Sequence, residues 1–145
     1  MTQTPRTRDR VARPGPATVI ASCLGLALGV AALVDNGPFQ PAGPNTLLLP
    51  LIALAYLGFG AARGAFRRPG SARRQVAGVL LFTGLALAAL LADPAVGRYV
   101  LAAGFVGHAA WDYAHRDGSV VPRWFVDFCV PFDLLVAVSL VVSAA

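Results

Sequence analysis

The chain has 145 residues, of which 57% are hydrophobic and only 13% are charged, and its formal net charge is +5. Since soluble domains typically carry about 25% charged residues, this composition argues against a soluble protein and favours an integral membrane protein. A basic chain can bind nucleic acid, but the arginines stand where membrane topology would place them, so we expect no nucleic-acid partner.

Five apolar segments follow one another along the chain, and each approaches the roughly 20 residues that a helix needs to cross a bilayer. They are residues 17–34, 47–62, 76–92, 96–115 and 125–143. Because backbone groups inside a bilayer must satisfy one another, the segments are predicted to be helices. The sequence therefore predicts an all-α, polytopic membrane bundle of five transmembrane helices. Residues 1–16 are predicted to be a disordered, basic cytoplasmic tail, and residues 17–145 the transmembrane domain.

The arginines predict how this bundle is oriented. Four lie in the tail, five lie between the second and third segments and two lie between the fourth and fifth, whereas only Arg98 lies on the other side. Cytoplasmic loops carry an excess of basic residues, so the N-terminus is predicted to be inside. The expected location is a bacterial cytoplasmic membrane, and a four-span arrangement is disfavoured because it would separate the tail from another arginine-rich loop.

The first segment is predicted to stay attached as a helix. The residues up to Cys23 resemble a lipoprotein cleavage site, whose cysteine normally ends the apolar run. Here the apolar run continues past Cys23 to Val34, which argues against cleavage. Gly25 and Gly29 form a small-xxx-small pair, a pattern typical of close contact between membrane helices. The third segment, with Thr83 as its polar side chain near mid-depth, is predicted to serve only for packing.

Three ionisable side chains lie on one stripe of the fourth segment. His108, Asp112 and His115 fall within roughly 60° of one another on a helix. Charged groups within a membrane usually face the bundle interior or a wet cavity, so this stripe is predicted to line the interior in the cytoplasmic half.

The fifth segment adds Asp127 and Asp133, with Pro131 between them. The short connection after the fourth segment predicts that the two helices are antiparallel neighbours. At 1.5 Å per residue, His108 lies about 12 Å from the cytoplasmic end and Asp133 about 13 Å. We therefore expect these two side chains to meet directly or through a metal or water. The alternative is that Asp133 bonds Tyr56 or Thr83 and that His108 bonds a backbone carbonyl. Asp127 is expected in a shallower layer with Asp112 and His115.

The last third of the chain resembles a family of small, uncharacterised bacterial integral membrane proteins. The resemblance rests on the pattern His108-x3-Asp112-x2-His115 and on three short motifs, Val121-Pro122-Arg123-Trp124, Phe128-Cys129 and Asp133-Leu134. It implies a membrane fold and no particular chemistry. In that family a second histidine often follows the position of His115, where this chain has Arg116, so a site that needs a third imidazole is not expected here.

Imidazole and carboxylate side chains together are typical ligands of Zn, Fe or Mn. The candidate metal ligands are His108, Asp112, His115, Asp127 and Asp133, and the candidate catalytic residues are His108, Asp112, His115 and Asp133. Three hypotheses follow. The chain is a metal-dependent membrane enzyme or metal-binding protein, a structural protein that binds an unknown protein partner, or a proton or ion relay that acts as a homo-oligomer.

Overall fold

The computed structural model describes residues 15–34 and 40–142, and within these ranges the regular structure is entirely helical. Five α-helices and one short 3₁₀ helix follow one another, the latter at Ala65–Arg67. The α-helices are α1 (Pro16–Val34), α2 (Pro44–Ala62), α3 (Ser71–Leu91), α4 (Pro94–Ala114) and α5 (Arg123–Val142). The predicted all-α class is confirmed. The predicted disordered tail lies outside the described residues, except at its last two positions.

Four of the helices, α1, α2, α3 and α5, are long and apolar enough to cross a membrane. Many of their large apolar side chains lie on the outside of the bundle, including Leu80 and Leu91. The fourth helix is equally long, at 21 residues, but Arg98, His108 and Asp112 dilute its apolar sequence. The apolar character of the described helices therefore supports four spans, and the predicted fifth span needs a different argument.

The fourth helix occupies the centre of the bundle. It contacts α2, α3 and α5, whereas α1 packs against α5 at the edge. The main core cluster joins apolar side chains of α2, α3, α4 and α5, among them Leu49, Phe82, Phe105 and Val136. Since α4 is surrounded on several sides, its polar stripe is buried by other helices rather than exposed on the outer surface.

Glycine allows α1 to approach α5 closely. A Cβ atom on Gly25 would lie 2.1 Å from the carbonyl oxygen of Phe128, and one on Gly29 would lie 2.7 Å from a leucine side chain of α5. Further along, the Ser139 hydroxyl donates a 2.8 Å hydrogen bond to the carbonyl of Ala32. The predicted role of the glycine pair in helix contact is confirmed. Because contacts advance along both helices together, α1 and α5 run in the same direction.

The second and fourth helices also run in the same direction. Leu49 packs where Gly104 leaves room, and seven residues later Tyr56 bonds Asp112. Contacts again advance along both chains together. Helices one and five, and helices two and four, are thus parallel pairs, which is the pattern produced when successive helices reverse direction.

All five helices begin before their predicted segments, and the second and third differ most. The second helix begins at Pro44 rather than at position 47, so that Pro50 lies well inside it. As proline has no N–H, Pro50 cannot donate to the carbonyl of Thr46. The third helix begins at Ser71, five residues before the predicted position 76, and its first turn is polar. Apolar patterning detects the lipid-facing length of a helix and misses such polar ends.

Candidate metal centre

One group of buried side chains joins α4 to α5. His108 and Asp112 come from α4 and Asp133 comes from α5, and all three residues are 0% exposed. Each offers a potential ligand atom, and these atoms all lie within 4.8 Å of one another. Among the described residues, these three side chains form the cluster that is compact enough to hold a metal ion. The helical stripe of the sequence thus faces the bundle interior, as predicted.

The His108 imidazole lies between the two carboxylates. Its Nδ1 atom is 2.8 Å from Oδ2 of Asp133, which is a hydrogen-bond distance, and 3.3 Å from Oδ2 of Asp112. The longer contact is an ion-pair distance, and Oδ2 of Asp112 has no hydrogen-bond partner, so only the contact with Asp133 is a hydrogen bond. The predicted direct contact between His108 and Asp133 is confirmed, as is the prediction that their helices are neighbours.

Tyr56 of α2 completes the polar group. Its hydroxyl donates to Oδ1 of Asp112 over 2.5 Å, and the tyrosine itself is 1% exposed. The sequence offered Tyr56 as an alternative partner of Asp133, whereas the structure pairs it with Asp112. Aromatic rings enclose the imidazole, because the Phe82 ring centroid lies 4.9 Å and the Tyr56 centroid 6.0 Å from that of His108.

Three polar atoms of this group remain without a hydrogen-bond partner. They are Nε2 of His108, Oδ2 of Asp112 and Oδ1 of Asp133. Buried polar atoms are nearly always paired, so three unpaired atoms on adjacent side chains are unusual. Such an arrangement leaves nitrogen and oxygen lone pairs or protons free to engage a ligand.

His115 lies one turn closer to the helix end and belongs to a different set of contacts. Its Nδ1 atom is 2.8 Å from the carbonyl oxygen of Trp111, and its Nε2 atom is 3.0 Å from Nε2 of Gln75. The carbonyl can only accept, so Nδ1 carries the proton, and Nε2 accepts from the Gln75 amide. Both ring nitrogens are therefore occupied, and the structure does not bring His115 into the three-residue group.

Asp127 is the other predicted ligand that stays outside the group. It is half-buried on α5, and its Oδ2 atom has no hydrogen-bond partner. The predicted shallower layer of Asp112, His115 and Asp127 does not form a metal-ligand group. Asp112 instead accepts a hydrogen bond from Tyr56 and lies at ion-pair distance from His108.

Gln75 is a residue of this region that the sequence reasoning missed. It is 1% exposed and holds His115, yet it lies in the polar first turns of α3, ahead of the predicted helix start. The available signal in the sequence was the position of Gln75, an uncharged polar residue directly after the arginine-rich loop. Cys129 is also buried, at 1% exposed.

Comparisons of the chain with protein-family models, with curated proteins and with solved structures found no match. A function can therefore be proposed only from the chain's own residues, and above all from the geometry of His108, Asp112 and Asp133.

Proposed function

We propose that the chain is a bacterial cytoplasmic-membrane protein with five spans and a cytoplasmic N-terminus, and that it binds a divalent metal through His108, Asp112 and Asp133. Membership of the small membrane-protein family that its last third resembles is part of this proposal. Eleven of the twelve arginines fall on one side of such a bundle, which supports the orientation.

The span count rests on α4. Its 21 residues correspond to about 31 Å, close to the roughly 30 Å thickness of a bilayer core. It runs parallel to α2, which is apolar enough to span, and it packs beside α2 from Leu49 to Tyr56. A helix that shares the depth of a spanning neighbour is expected to span as well, and its polar side chains are sheltered by the helices around it.

The observation that carries the metal proposal is a fully buried group of two carboxyl groups and one imidazole. When both carboxyl groups are ionised, even a protonated His108 leaves one net negative charge among residues that are 0% exposed. An uncompensated buried charge is strongly unfavourable. A divalent cation held by Asp112, Asp133 and a neutral His108 makes the group electrically neutral.

The donor types and spacings fit a transition metal. Zinc binds imidazole nitrogen and carboxylate oxygen at about 2.0–2.2 Å, which places tetrahedral ligands about 3.3 Å apart. The contact between His108 and Asp112 has this length, at 3.3 Å. The contact between His108 and Asp133 is shorter, at 2.8 Å, so these two side chains would have to separate slightly to hold a metal ion together. Zn, Fe or Mn is the expected ion.

Three protein ligands leave one tetrahedral position free. A catalytic metal needs such a position, because it activates a bound water or polarises a substrate there. The roles of His108, Asp112 and Asp133 would then be to hold the ion, and the role of Tyr56 would be to fix the orientation of Asp112 through its hydrogen bond. Metal-dependent catalysis is thus the enzymatic form of the proposal.

Elemental analysis of the full chain, purified without a metal-binding tag, tests the proposal. Wild type should contain about one metal ion per chain, and His108→Ala and Asp133→Asn should each lose most of it. His115→Ala and Asp127→Asn are matched controls, because they make the same changes outside the group and should retain the metal. Negligible metal in wild type, or equal loss in targets and controls, would contradict the proposal and favour a structural role with a protein partner.

A proton relay is the second candidate, and one observation favours it. Nδ1 of His108 is within reach of both Asp112 and Asp133, and Tyr56 extends this polar chain toward α2. An imidazole that shifts from Asp133 to Asp112 can carry a proton from one carboxylate to the other. This function would require a homo-oligomer, since five helices are few for a transporter. Proton flux into liposomes that is lost in His108→Ala, from protein without bound metal, would support the relay over the metal site.

A further inference from the structure

A second polar site lies where α3 begins and α4 ends. A cavity of about 240 Å³ opens between the loop before α3 and the connection from α4 to α5. Its polar walls are formed by Arg68, Ser71, Arg74, Gln75, His115 and Asp117. The cavity is large enough for a small polar group and is distinct from the buried centre, since it includes none of His108, Asp112 and Asp133.

The arginines of the cavity form no salt bridge with the described part of the chain, although Arg68 lies near enough to Asp117 to help lower the pKa of its carboxyl group. The guanidinium groups of Arg68 and Arg74 make no hydrogen bond or ion pair with the described part of the chain, whereas Arg63 nearby donates to the carbonyl of Gly118 over 2.9 Å. The helix that begins at Ser71 also lacks a side-chain cap. Helix N-termini attract anions, but the N–H groups of Ser71 and Arg74 already donate to the carbonyls of Arg68 and Gly70, so the side chains must hold an anion here.

The inner wall points independently to a ligand. Gln75 is 1% exposed, and while its Nε2 atom is held by His115, its Oε1 atom has no hydrogen-bond partner. Asp117 adds an acceptor at the rim. The Ser119 N–H donates to Asp117 over 3.0 Å, and this hydrogen bond lowers the pKa of the carboxyl, so Asp117 is ionised. Two arginines and one aspartate leave the cavity with a net positive charge.

We propose that this cavity binds a phosphate group carried on a hydroxylated molecule. Arg68 and Arg74 hold the phosphate oxygens, to which guanidinium is geometrically suited, and Ser71 adds a hydroxyl group to the same wall. Gln75 and Asp117 accept hydrogen bonds from the hydroxyl groups. The inference does not depend on the metal centre, because none of these residues belongs to it.

The phosphate has two chemical sources, a phospholipid headgroup and a soluble phosphate ester. In the proposed orientation the cavity lies on the cytoplasmic side at the level of the headgroups, where basic pockets bind anionic lipids. A basic loop also attracts anionic lipid without any specific site. The experiment must therefore distinguish binding in the cavity from non-specific attraction of anions to the basic loop.

Two pairs of adjacent arginines allow this separation. Arg68→Gln/Arg74→Gln removes the cavity cations, and Arg67→Gln/Arg73→Gln removes the same charge from the same segment, at exposed residues that do not line the cavity. Binding of phosphatidylglycerol, with phosphatidylcholine as reference, is measured by native mass spectrometry of the full chain in detergent. Binding of glycerol 3-phosphate is measured by calorimetry, and circular dichroism verifies that the helices of each variant are intact.

We expect the cavity variant to bind at least about tenfold more weakly and the control variant to change less than about threefold, because charge-assisted hydrogen bonds are lost only in the first. Asp117→Asn should strengthen binding, since it keeps an acceptor oxygen and removes the only acidic group among the described residues that line the cavity. Binding of phosphatidylglycerol alone identifies a lipid headgroup, and binding of glycerol 3-phosphate identifies a soluble ester. Equal losses in the two double variants, or no binding of either probe to wild type, would overturn the proposal.

Discussion

The Nδ1 atom of His108 lies 2.8 Å from Oδ2 of Asp133, and both side chains are fully buried. This contact joins the two helices of the candidate centre at a depth where neither short side chain can reach water. Each residue is therefore the main hydrogen-bond partner of the other inside the bundle.

The first prediction concerns the stability of this pair. Asp133→Leu should lower the free energy of unfolding in detergent by about 3–5 kcal/mol, because it leaves a buried imidazole without its partner. Adding His108→Leu should recover part of that loss, since an apolar pair replaces an unpaired polar group. Urea titration of metal-free protein measures both effects. Losses that simply add in the double variant would show that the two side chains are not coupled.

The second prediction concerns the contact between α1 and α5. Gly25→Ala should destabilise the protein by about 1–3 kcal/mol, since its methyl group would lie 2.1 Å from the carbonyl oxygen of Phe128. Gly58→Ala is the matched control, because it changes the same residue type in a helix where a Cβ atom has no neighbour within 4 Å. The control should be neutral or slightly stabilising. Similar thermal unfolding of both variants would contradict the close packing of α1.

The sequence was sufficient for the fold class and for one long-range contact. Helical periodicity placed His108 and Asp112 on one stripe, and the short connection to α5 set the depth at which Asp133 would meet them. Those inferences succeed because they depend on local geometry, namely the rise per residue and the direction of two consecutive helices. Depth matching between adjacent antiparallel helices needs no knowledge of the remaining bundle.

The contacts that were missed join helices that are not consecutive, or lie in polar helix ends. Tyr56 bonds Asp112 rather than Asp133 because α2 packs beside α4. The hydrophobic periodicity of a helix does not reveal which other helices pack against it. Gln75 was missed because α3 begins before its apolar stretch. His115 looked like a ligand from its spacing alone, yet the amide of Gln75 occupies its Nε2 atom.

The third prediction follows from that amide. Gln75→Leu should lower stability by about 1–2 kcal/mol, because the Nε2 atom of buried His115 loses its donor. Gln75→Glu should lose less, since a carboxylate can accept from a protonated imidazole. Gln40→Leu makes the same change at an exposed residue and should alter stability by less than about 0.5 kcal/mol. Equal effects at positions 75 and 40 would exclude a contribution from the His115 contact.

The last prediction concerns the number of spans and depends on whether α4 crosses the bilayer. Single cysteines are introduced at Arg67, Ala95 and Asp117 in a chain whose Cys23 and Cys129 are replaced by alanine. All three positions are exposed in loops or at a helix end. If α4 crosses, a membrane-impermeant maleimide should label Ala95→Cys in intact cells. Arg67→Cys and Asp117→Cys should react only after the cells are permeabilised.

Labelling distinguishes the two topologies because α4 separates Ala95 from Asp117. A helix that stays on one side would give both positions the same accessibility, whereas a spanning helix gives them opposite accessibility. Labelling of Arg67→Cys from outside would reverse the orientation and contradict the positive-inside assignment. Opposite labelling of Ala95→Cys and Asp117→Cys would instead show that α4 crosses the membrane. His108, and Asp133 in contact with it, would then lie within the membrane. Inside a membrane the polar atoms of these two side chains, which lie 2.8 Å apart, must find their partners in the protein, a proton or a metal ion rather than in water.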